Sequence, residues 1–339
     1  MSAGLSTVII RDAAAFAALA PAWGDLWRRA PTATPFQSPA WLIPWWRAFA
    51  PGDLFTVTVA RAERLVGLAP FYIEDGEYGR RILPVGISLS DYLDVLVDPD
   101  EPDAGRAMVE ALSGERAAWD LWSLEELRPG ATALGLPLPS GCRETLSPQS
   151  ACPALRLDGG RSLGEILPKT KRRKLNLARN RAARRGSVTV EQADAAGVGP
   201  ALDRLFGLHG SRWESRGEPG VLADDAVRRF QRAAAPALQA EGLLRLYVLR
   251  IGDAVAAVYY GFACKAEASA YLTGFDPAFA FESPGTLIVA HAIEQAIAEG
   301  AGTFHFLRGR EAYKYEWGAI DRWNRRRTIQ HAKTDAAFA

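Results

Sequence analysis

The segment HFLRGREAYKYEWG, residues 305–318, places several large polar side chains directly after a short strand-like stretch. Sheets of α/β proteins carry many ligand-binding groups at strand ends, so this segment is a candidate active site. Glu311 has the chemistry to take a proton from an attacking amine, and Tyr313 to give one to a leaving thiolate. Arg308 and Lys314 would hold an anionic group. The structural alternative is an Arg–Glu ion-pair cluster covered by aromatic rings, and spacing alone leaves both interpretations open.

A second candidate is the turn Ser283-Pro284-Gly285-Thr286, which lies between a predicted strand and a predicted helix. Ser283 is a suitable N-cap and Pro284 a suitable first helical residue. Gly285 has no side chain, so a ligand can approach the backbone closely. The first amides of a helix are unpaired and lie at the positive end of its dipole, which suits a phosphate or diphosphate. A well-capped helix without a ligand is the alternative interpretation.

The densest charge run is Lys169-Thr-Lys-Arg-Arg-Lys174, which continues in a helical pattern to Arg185. Such a run suits the phosphates of a nucleotide-like cofactor or an anionic polymer. The aromatic residues that interleave with basic ones in single-strand nucleic-acid binders are missing. A solvated helix face accounts for the run equally well.

Two further groups of residues have suitable types and spacing. Arg212 and Trp213 share one side of a predicted helix with His209, so both are candidates for substrate binding. In the first half of the chain, Asp91 and Asp94 stand near the start of a predicted strand, and Asp91 is a candidate base. The structural alternatives are a core position for Trp213 and an exposed turn carboxylate for Asp91.

Length and composition limit the class of protein to which these residues belong. The chain has 339 residues and a formal net charge of +1, which suggests two domains and gives no general case for nucleic acid as a partner. No apolar run is long enough to span a membrane, and the N-terminus does not resemble a signal peptide. The three cysteines form no CxxC pair and the four histidines show no metal-ligand spacing. We therefore expect a cytoplasmic protein with reduced thiols and no metal.

The predicted elements occur twice in the same order. LFTVTVARAERLVGLAPFY in the first half and LRLYVLRIGDAVAAVYYGF in the second are both typical of a strand, a turn and a returning strand. In each half a further strand, a helix and another strand follow, which predicts a mixed sheet with helices on its faces. The pattern predicts an α/β protein that arose by duplication, although two α/β segments can share this order without a common origin. Residues 128–153, rich in Pro, Gly and Ser, are predicted to be connecting loop with room for one strand.

Several of these segments together resemble one known family. They are LVGLAPFY, DYLD, the basic run, RWESRG, YLTGFDPAF with SPGTL, and FLRGREAYKYEWG. Over roughly residues 35–330 the chain resembles the CelD-like group of the GNAT acyltransferases, whose wider relatives are the FemABX aminoacyl transferases. The last segment, which has the form F-x-F-x-x-G-x-x-x-Y-K, is the most specific part of the resemblance.

The resemblance implies two GNAT-like domains in tandem, about 1–155 and 156–339, and acyl transfer from acetyl-CoA or another acyl-CoA to an amine or hydroxyl. In such proteins the CoA diphosphate lies on the backbone amides of a strand-to-helix turn, which corresponds here to Ser283–Leu287. Backbone groups of the preceding strand, Tyr271–Phe275 with Gly274, would polarise the thioester carbonyl.

Departures from the family pattern bear on the donor. Glu282 and Leu287 stand where the usual diphosphate loop has Gln or Arg and Gly or Ala, and His305 stands where relatives often have Asp. The altered loop leaves open an aminoacyl-tRNA donor, with the basic helix of residues 169–185 as the RNA-binding element. It also leaves open a non-catalytic scaffold built on degenerate GNAT folds.

The sequence as a whole thus predicts an acyl-CoA-dependent N- or O-acyltransferase with the donor site in its second domain. The acceptor would be a small molecule or glycan, of the kind found in the cell envelope or in polysaccharides, and would enter between the domains beside Arg212, Trp213 and Arg308. Glu311 is the first candidate base and Asp91 the second. Nucleic acid is expected only as tRNA under the alternative donor, and the acceptor's identity and the acyl chain are not predicted.

Overall fold

The computed structural model describes most of the chain, namely residues 4–77, 79–157, 161–214 and 220–332. The side chains of residues 210–214 and 221 lie outside this description. The chain divides into two compact units, the first formed by the residues up to Ser150 together with those from Trp323, and the second by Ala151–Arg322. The predicted domain boundary lay between residues 155 and 156, with the whole C-terminus in the second domain.

The described strands and helices of the first unit are mostly short. Its strands are β1 (Leu5–Ile10), β2 (Asp53–Leu54), β3 (Thr56–Arg61), β4 (Arg64–Ala69), β5 (Phe71–Gly76), β6 (Gly79–Pro84), β7 (Leu96–Val97) and β8 (Leu121–Leu127). Its helices are α1 (Ala13–Ala18), α2 (Ala20–Arg29), α3 (Pro39–Phe49) and α4 (Asp103–Gly114). Local chemistry places some of these boundaries, since Asp12 accepts a hydrogen bond from the Ala15 amide at 2.8 Å and so starts α1.

Strands of the first unit belong to two sheets. One sheet has the order β1-β3-β4-β7, with antiparallel neighbours. In the other, β2 pairs with β5 and β5 with β6 in antiparallel fashion, and β6 pairs with β8 in parallel. An aromatic-rich core joins them and includes Phe55, Phe71, Trp119 and Trp122. Helix α4 packs against β1 and β3.

The remaining elements follow residue 141. The strands are β9 (Cys142–Arg156), β10 (Val188–Gln192), β11 (Leu244–Ile251), β12 (Ala254–Cys264), β13 (Glu267–Phe275), β14 (Thr303–His305) and β15 (Ile320–His331). The helices are α5 (Leu163–Ile166), α6 (Lys169–Arg185), α7 (Val198–Glu214), α8 (Asp225–Ala240), α9 (Pro284–Ala298) and α10 (Ala312–Glu316). The one strand that the prediction allowed within residues 128–153 is β9, which begins at Cys142 and continues to Arg156. The end of β9 is held as a strand by backbone pairing with residues 303–309, far away in the sequence.

In the second unit the sheet has the order β10-β11-β12-β13-β14-β9. Neighbouring strands are antiparallel except β13 and β14, which run parallel and are connected by helix α9. Helix α9 buries Leu287, Ile288 and Ile293 in a core that also contains Tyr259 and Phe304. A largely apolar helix suits this place, because a parallel pair needs a crossover that covers the sheet. The α/β fold class predicted from the sequence is confirmed.

The predicted order of hairpin, strand, helix and strand occurs in both units. In the first unit it is β3 and β4, then, after the additional strands β5 and β6, β7, α4 and β8. In the second unit it is β11 and β12, then β13, α9 and β14, with no additional strand in that described stretch. The units differ at the last step, because β13 pairs with β14 whereas β7 and β8 belong to different sheets. A common origin of the two halves stays a prediction.

The structure also bears on three of the compositional expectations. Within the described ranges, no helix is both long and apolar enough to cross a membrane. Those ranges contain no group of three or more His, Cys, Asp or Glu side chains that would hold a metal ion. The three cysteines, all of which lie in described segments, form no disulfide there.

Candidate active site

Two parallel strands of the second unit separate after a short stretch of pairing. Glu267–Ser269 of β13 pair with Thr303–His305 of β14, and the pairing ends there. Strand β13 continues beside β12 to Phe275, whereas the chain after β14 follows β9, with the Phe306 amide donating to the Pro153 carbonyl at 2.8 Å. Among the described residues, the outer edge of β13 beyond this pairing therefore has no neighbouring strand, and a gap opens beside it.

Helix α9 begins at this gap. Ser283, its N-cap, has a left-handed backbone (φ 55°, ψ 55°), so its hydroxyl does not make the expected capping bond, which requires an extended backbone. Pro284 is the first helical residue, as the sequence predicted, and brings no amide hydrogen. The amides of Thr286 and Leu287 both donate to the Ser283 carbonyl, at 2.9 and 3.2 Å. The Gly285 amide has no acceptor in the part of the chain that the structure describes.

A cavity of about 370 Å³ adjoins this helix start. Its walls include Thr273 and Phe275 from β13, residues 283–286 from the start of α9, and Tyr313 and Trp317 from the end of the chain segment singled out by the sequence. The structure thus brings part of the predicted donor turn and one predicted acid together around a single cavity.

Lys171 of helix α6 brings positive charge to the cavity wall. It is 3% exposed, and its ammonium lies 3.3 Å from the Glu316 carboxylate and 4.1 Å from the centre of the Trp317 ring. Lys174 binds the same carboxylate at 2.9 Å, so two cations share one anion. Burial lowers the pKa of Lys171, an effect that Glu316 opposes, and the hydrogen bond from Lys174 holds the pKa of Glu316 below its usual value. Glu316 also lines the cavity, so the excess positive charge belongs to the cluster of Lys171, Lys174 and Glu316 taken together, and Lys174 lies outside the lining.

Lys314 has a structural role. Its buried ammonium donates to the carbonyls of Leu307, Arg308 and Gly309 at 3.2, 2.6 and 3.2 Å and lies 2.9 Å from the Glu311 carboxylate. An ammonium has three hydrogens, so these partners use all of its donor capacity. They hold a turn in which Leu307 (φ 58°) and Gly309 (φ 105°) are left-handed. The expected role of Lys314 in holding a substrate anion is not compatible with these surroundings.

The other three residues predicted from this segment occupy different positions. Tyr313 lines the cavity and packs edge-on against Phe306, with ring centres 6.4 Å apart. Glu311 is the N-cap residue of α10, is more than half exposed and pairs with Lys314. Arg308 is partly exposed, and its carbonyl accepts a hydrogen bond from Lys314. Of the three, Tyr313 is the one that contributes to the cavity wall.

Gly274, predicted to bind the donor, allows a helix to approach the sheet. A Cβ at this position would lie 2.9 Å from Leu208 Cβ and 3.2 Å from Leu205 Cδ1, both in α7. Side chains alternate along a strand, and the neighbours Thr273 and Phe275 line the cavity. The glycine therefore faces α7, on the opposite side of the sheet from the cavity.

Both residues that depart from the family's diphosphate loop are buried. Leu287 packs in the core, and its amide already donates to the Ser283 carbonyl. Its side chain and its amide are therefore both in use, contrary to the expectation that Leu287 binds the donor. Glu282 is 4% exposed and pairs with Arg185 at 3.2 Å. The two unusual residues thus contribute to packing and to an ion pair.

The acidic candidates of the first unit lie in buried surroundings. Asp94 accepts hydrogen bonds from the amides of Val95, Thr132 and Ala133, each at 2.8 Å. Burial raises the pKa of Asp94 to about 6, and these bonds limit the rise. Asp91 is also buried, so neither residue is an exposed turn carboxylate. Asp94 holds the turn that contains Thr132 and Ala133. The role of Asp91 as a base stays a prediction.

Arg212 and Trp213, predicted to bind substrate, lie near the end of helix α7. Their side chains are outside the described part of the chain, so their roles stay predictions. His209, expected on the same side of this helix, is buried.

Sequence reasoning missed Lys171 as a cavity residue because it stands in a run of similar basic residues. A signal was present in the spacing. Leu175, Ala178 and Ala182 form the buried stripe of α6, and continuing that stripe one turn backward leads to Lys171. Trp317, whose ring lies beneath the Lys171 ammonium, belongs to the segment of residues 305–318. Its position in that segment does not indicate that it lines a cavity.

Comparison with known proteins agrees with this architecture. Residues 169–315 match the family model described as an acetyltransferase (GNAT) domain. Solved structures with a similar fold include FemX, at 12% identity and a TM-score of 0.66 over 95% of this chain and 96% of that chain. They also include the C-terminal domain of a putative lysylphosphatidylglycerol synthetase from Agrobacterium fabrum, at 16% identity and a TM-score of 0.56 over 96% and 93%. A conserved protein of unknown function from Bacteroides thetaiotaomicron VPI-5482 matches at 12% identity and a TM-score of 0.58 over 96% and 100%.

The fold, with its parted parallel strands and the helix that starts between them, defines an α/β protein of the GNAT type. At these identities the solved structures establish the fold, and the matched domain of the second unit adds the relationship to acetyltransferases. No curated protein sequence matches the chain. The match of residues 169–315 to the acetyltransferase (GNAT) domain indicates a transferase at a general level.

Proposed function

We propose that the protein is an acyl-CoA-dependent N- or O-acyltransferase whose donor lies in the cavity at the start of α9. The observation that carries the proposal is the separation of β13 from β14 beside the Gly285 amide. It leaves a free strand edge, the start of a helix and the buried ammonium of Lys171 in one cleft.

The parts of an acyl-CoA match these groups. Its diphosphate suits the Gly285 amide, the hydroxyls of Ser283 and Thr286 and the positive end of α9, with the charge of Lys171 nearby. Its pantetheine arm carries amides that would pair with the free edge of β13 in the manner of an added strand. The cavity volume of about 370 Å³ lies within the range of small-molecule sites.

In the proposed reaction, an amine or hydroxyl of the acceptor attacks the thioester carbonyl carbon directly. A C–N or C–O bond forms, the C–S bond breaks, and sulfur leaves as a thiolate. Tyr313 on the cavity wall would protonate the thiolate, and Glu311 would take the proton that the acceptor loses. Amides on the free edge of β13 would bind the carbonyl oxygen as it gains negative charge.

The acceptor is proposed to be a small molecule or glycan. Arg308, partly exposed in the turn that precedes Tyr313, is retained as an acceptor-binding residue together with Arg212 and Trp213. Lys314 is not retained, because its donors are already used by the turn.

Calorimetric titration with acetyl-CoA tests the donor site. Gly285→Val places a branched side chain in the cavity, with its Cβ about as close to the Phe275 ring as van der Waals contact allows, at 3.4 Å. We expect the wild type to bind and the variant to bind at least about tenfold more weakly, a difference of about 1.4 kcal/mol. Gly199→Val is the matched control, because Gly199 is also the second residue of its helix and has open space around its Cβ position. No binding by the wild type at millimolar acetyl-CoA would overturn the proposal.

A second candidate is aminoacyl transfer from a charged tRNA, which the fold shared with FemX and the basic helix α6 favour. Three cations of α6 have neither an ion pair nor a hydrogen-bond partner in the described ranges: Lys169, Arg173 and Arg184. If all three contact phosphates, the affinity for tRNA should fall roughly 40-fold between 50 and 200 mM salt. Acetyl-CoA binding without any tRNA binding at low salt would exclude this candidate.

A non-catalytic scaffold is the third candidate, and the altered diphosphate loop is the feature that favours it. Acetyl-CoA consumption that does not change in Tyr313→Phe and Glu311→Gln would contradict the proposed roles of these two residues. At the background rate this result would support the scaffold, and above the background rate it would indicate another site. A loss of turnover in Tyr313→Phe with donor affinity retained would support the proton-transfer role.

A further inference from the structure

An exposed aromatic ring lies on the segment that leads into the proposed donor cleft. Phe281 stands two residues before Ser283 and is 65% exposed. It belongs to the 3-10 helix Pro277–Glu282, whose other aromatic residue, Phe279, is buried. Phe279 gains hydrophobic stabilisation from burial, whereas the exposed ring of Phe281 does not. A ligand that covered the Phe281 ring would supply that stabilisation.

A guanidinium already covers one face of this ring. Arg181 of helix α6 has its Cζ 4.1 Å from the ring centre and donates a hydrogen bond to the Phe281 carbonyl at 3.2 Å. The two contacts hold both the ring and its backbone against α6. Since Phe281 is still 65% exposed, the opposite face of the ring is open to solvent. A flat ring held from behind by a cation is suited to stacking on another planar group.

The same side of α6 offers a further cation. Arg184 follows Arg181 by three positions, so the two lie on one side of the helix. Arg185, the next residue, is bound to Glu282 at 3.2 Å and lies over the Phe279 ring. Arg184 has no carboxylate or hydrogen-bond partner within the described ranges. It is therefore available for an anion beside the ring.

We propose that Phe281 and Arg181 form a stacking platform for the adenine of the donor, with Arg184 beside the phosphate on its ribose. The inference rests on the proposed function, because a CoA whose diphosphate lies at Gly285 extends its nucleotide out of the cleft. Phe281 stands at that exit, since Ala280 and Ser283 on either side of it in the sequence line the cavity. Base–aromatic stacking needs only an open π face, which the ring provides.

Titrations with two donors of different length test the platform. Acetyl-CoA carries the adenine nucleotide, whereas S-acetyl-4′-phosphopantetheine has the same reactive arm without it. Phe281→Ala should weaken acetyl-CoA binding roughly tenfold, as loss of one base–aromatic stack does, and should change the affinity for the short donor less than about twofold. Phe281→Trp keeps an aromatic face and should retain the affinity for acetyl-CoA.

Other outcomes of these titrations would separate the platform from the proposed function. Wild-type binding of acetyl-CoA that is unchanged in Phe281→Ala, or equal losses for both donors, would overturn the platform and leave the donor site standing. Failure of the wild type to bind either donor would overturn the proposed function and the platform with it. If Phe281→Ala weakened tRNA binding and left acetyl-CoA binding unchanged, the platform for the donor adenine would be overturned. The ring would then stack on a terminal adenosine of RNA instead.

The role of Arg184 is tested with dephospho-CoA, which lacks the ribose 3′-phosphate. Arg184→Gln should weaken CoA binding about two- to fivefold, the effect of one exposed ion pair, and leave dephospho-CoA binding unchanged. Arg173→Gln is the matched control, because it removes an exposed cation from the same helix about 16 Å away along the axis. Equal losses in the two variants, or equal losses for both ligands in Arg184→Gln, would overturn the assignment of Arg184.

Discussion

Lys171 and Lys314 are both buried lysines of the second unit, and their partners assign them different roles. Lys314 uses its three hydrogens on backbone carbonyls and on Glu311. Lys171 shares the carboxylate of Glu316 with Lys174 and lines the cavity. A buried charge is tolerated where partners compensate its lost hydration. Lys314 is fully compensated by the protein, whereas Lys171 retains bonding capacity that an anionic ligand would use.

We expect Lys314→Met to lower the free energy of unfolding by about 2–3 kcal/mol, because it leaves buried carbonyls of the turn without a donor. Urea denaturation measures the change. Lys174→Met is the control, since Lys174 is exposed and its pairing with Glu316 should contribute less than about 1 kcal/mol. Equal stability of Lys314→Met and the wild type would contradict the structural role of this lysine.

At the scale of elements, the donor cleft depends on where β13 has neighbours. Helix α7 lies against one face of the strand at Gly274, and the cavity lies on the other face at Thr273 and Phe275. The outer edge of the strand is left open because β14 turns away after His305. The strand thus packs against a helix on one face and lines a cavity on the other, so neighbouring substitutions should have different consequences.

Two glycine substitutions test this division. Gly274→Ala should lower the free energy of unfolding by about 1–3 kcal/mol, because its Cβ would lie 2.9 Å from Leu208 Cβ in a packed interface. Gly285→Ala should leave stability within about 1 kcal/mol, because the nearest atom to its Cβ is a ring carbon of Phe275 at 3.4 Å. Thermal or urea denaturation gives both values. A larger loss in Gly285→Ala than in Gly274→Ala would contradict the assignment of the two faces.

At the scale of the whole molecule, the net charge of +1 is the small difference between many positive and many negative side chains. One side of α6 is positive, whereas buried carboxylates such as Asp98 and Glu282 are paired with arginines. Long-range attraction of anions by the molecule as a whole is therefore weak, and anion binding depends on local sites. One buried carboxylate of the first unit, Asp94, is bound instead by three backbone amides and makes stability depend on pH.

The pKa of Asp94 predicts the direction of that dependence. Its folded-state pKa, about 6, is raised above the ordinary value of 3.8, so the folded state binds its proton more tightly than the unfolded state. The resulting stabilisation is present below about pH 4 and is lost as the pH rises through 6, a change on the order of 3 kcal/mol. In Asp94→Asn this contribution is absent. The difference in unfolding free energy, wild type minus variant, should therefore fall between pH 4 and pH 7, and a constant or rising difference would contradict the prediction.

Some features of the site were predictable from the sequence because they depend on local chemistry. Pro284 marks the start of helix α9, since a residue without an amide hydrogen suits the first helical position. Tyr313 lines the cavity from helix α10, and its role as an acid stays a prediction. The capping role of Ser283 was not predictable, because its left-handed backbone depends on the preceding 3-10 helix. The bounds of strand β9 were not predictable either, because Pro-rich sequence favours a loop unless distant residues pair with it.

The sequence by itself determined the α/β class, the order of elements, the helix that starts at Pro284 and the relationship to acyltransferases, because periodicity and residue type act over a few neighbouring positions. Only the tertiary structure decided which polar side chains reach the cavity. Lys171 is brought there by Glu316, 145 positions away, while Lys314 is turned to the backbone of its own loop. Burial and hydrogen-bond partners come from residues that are distant in the chain, so two lysines of the same chemistry acquire opposite roles only when the protein has folded.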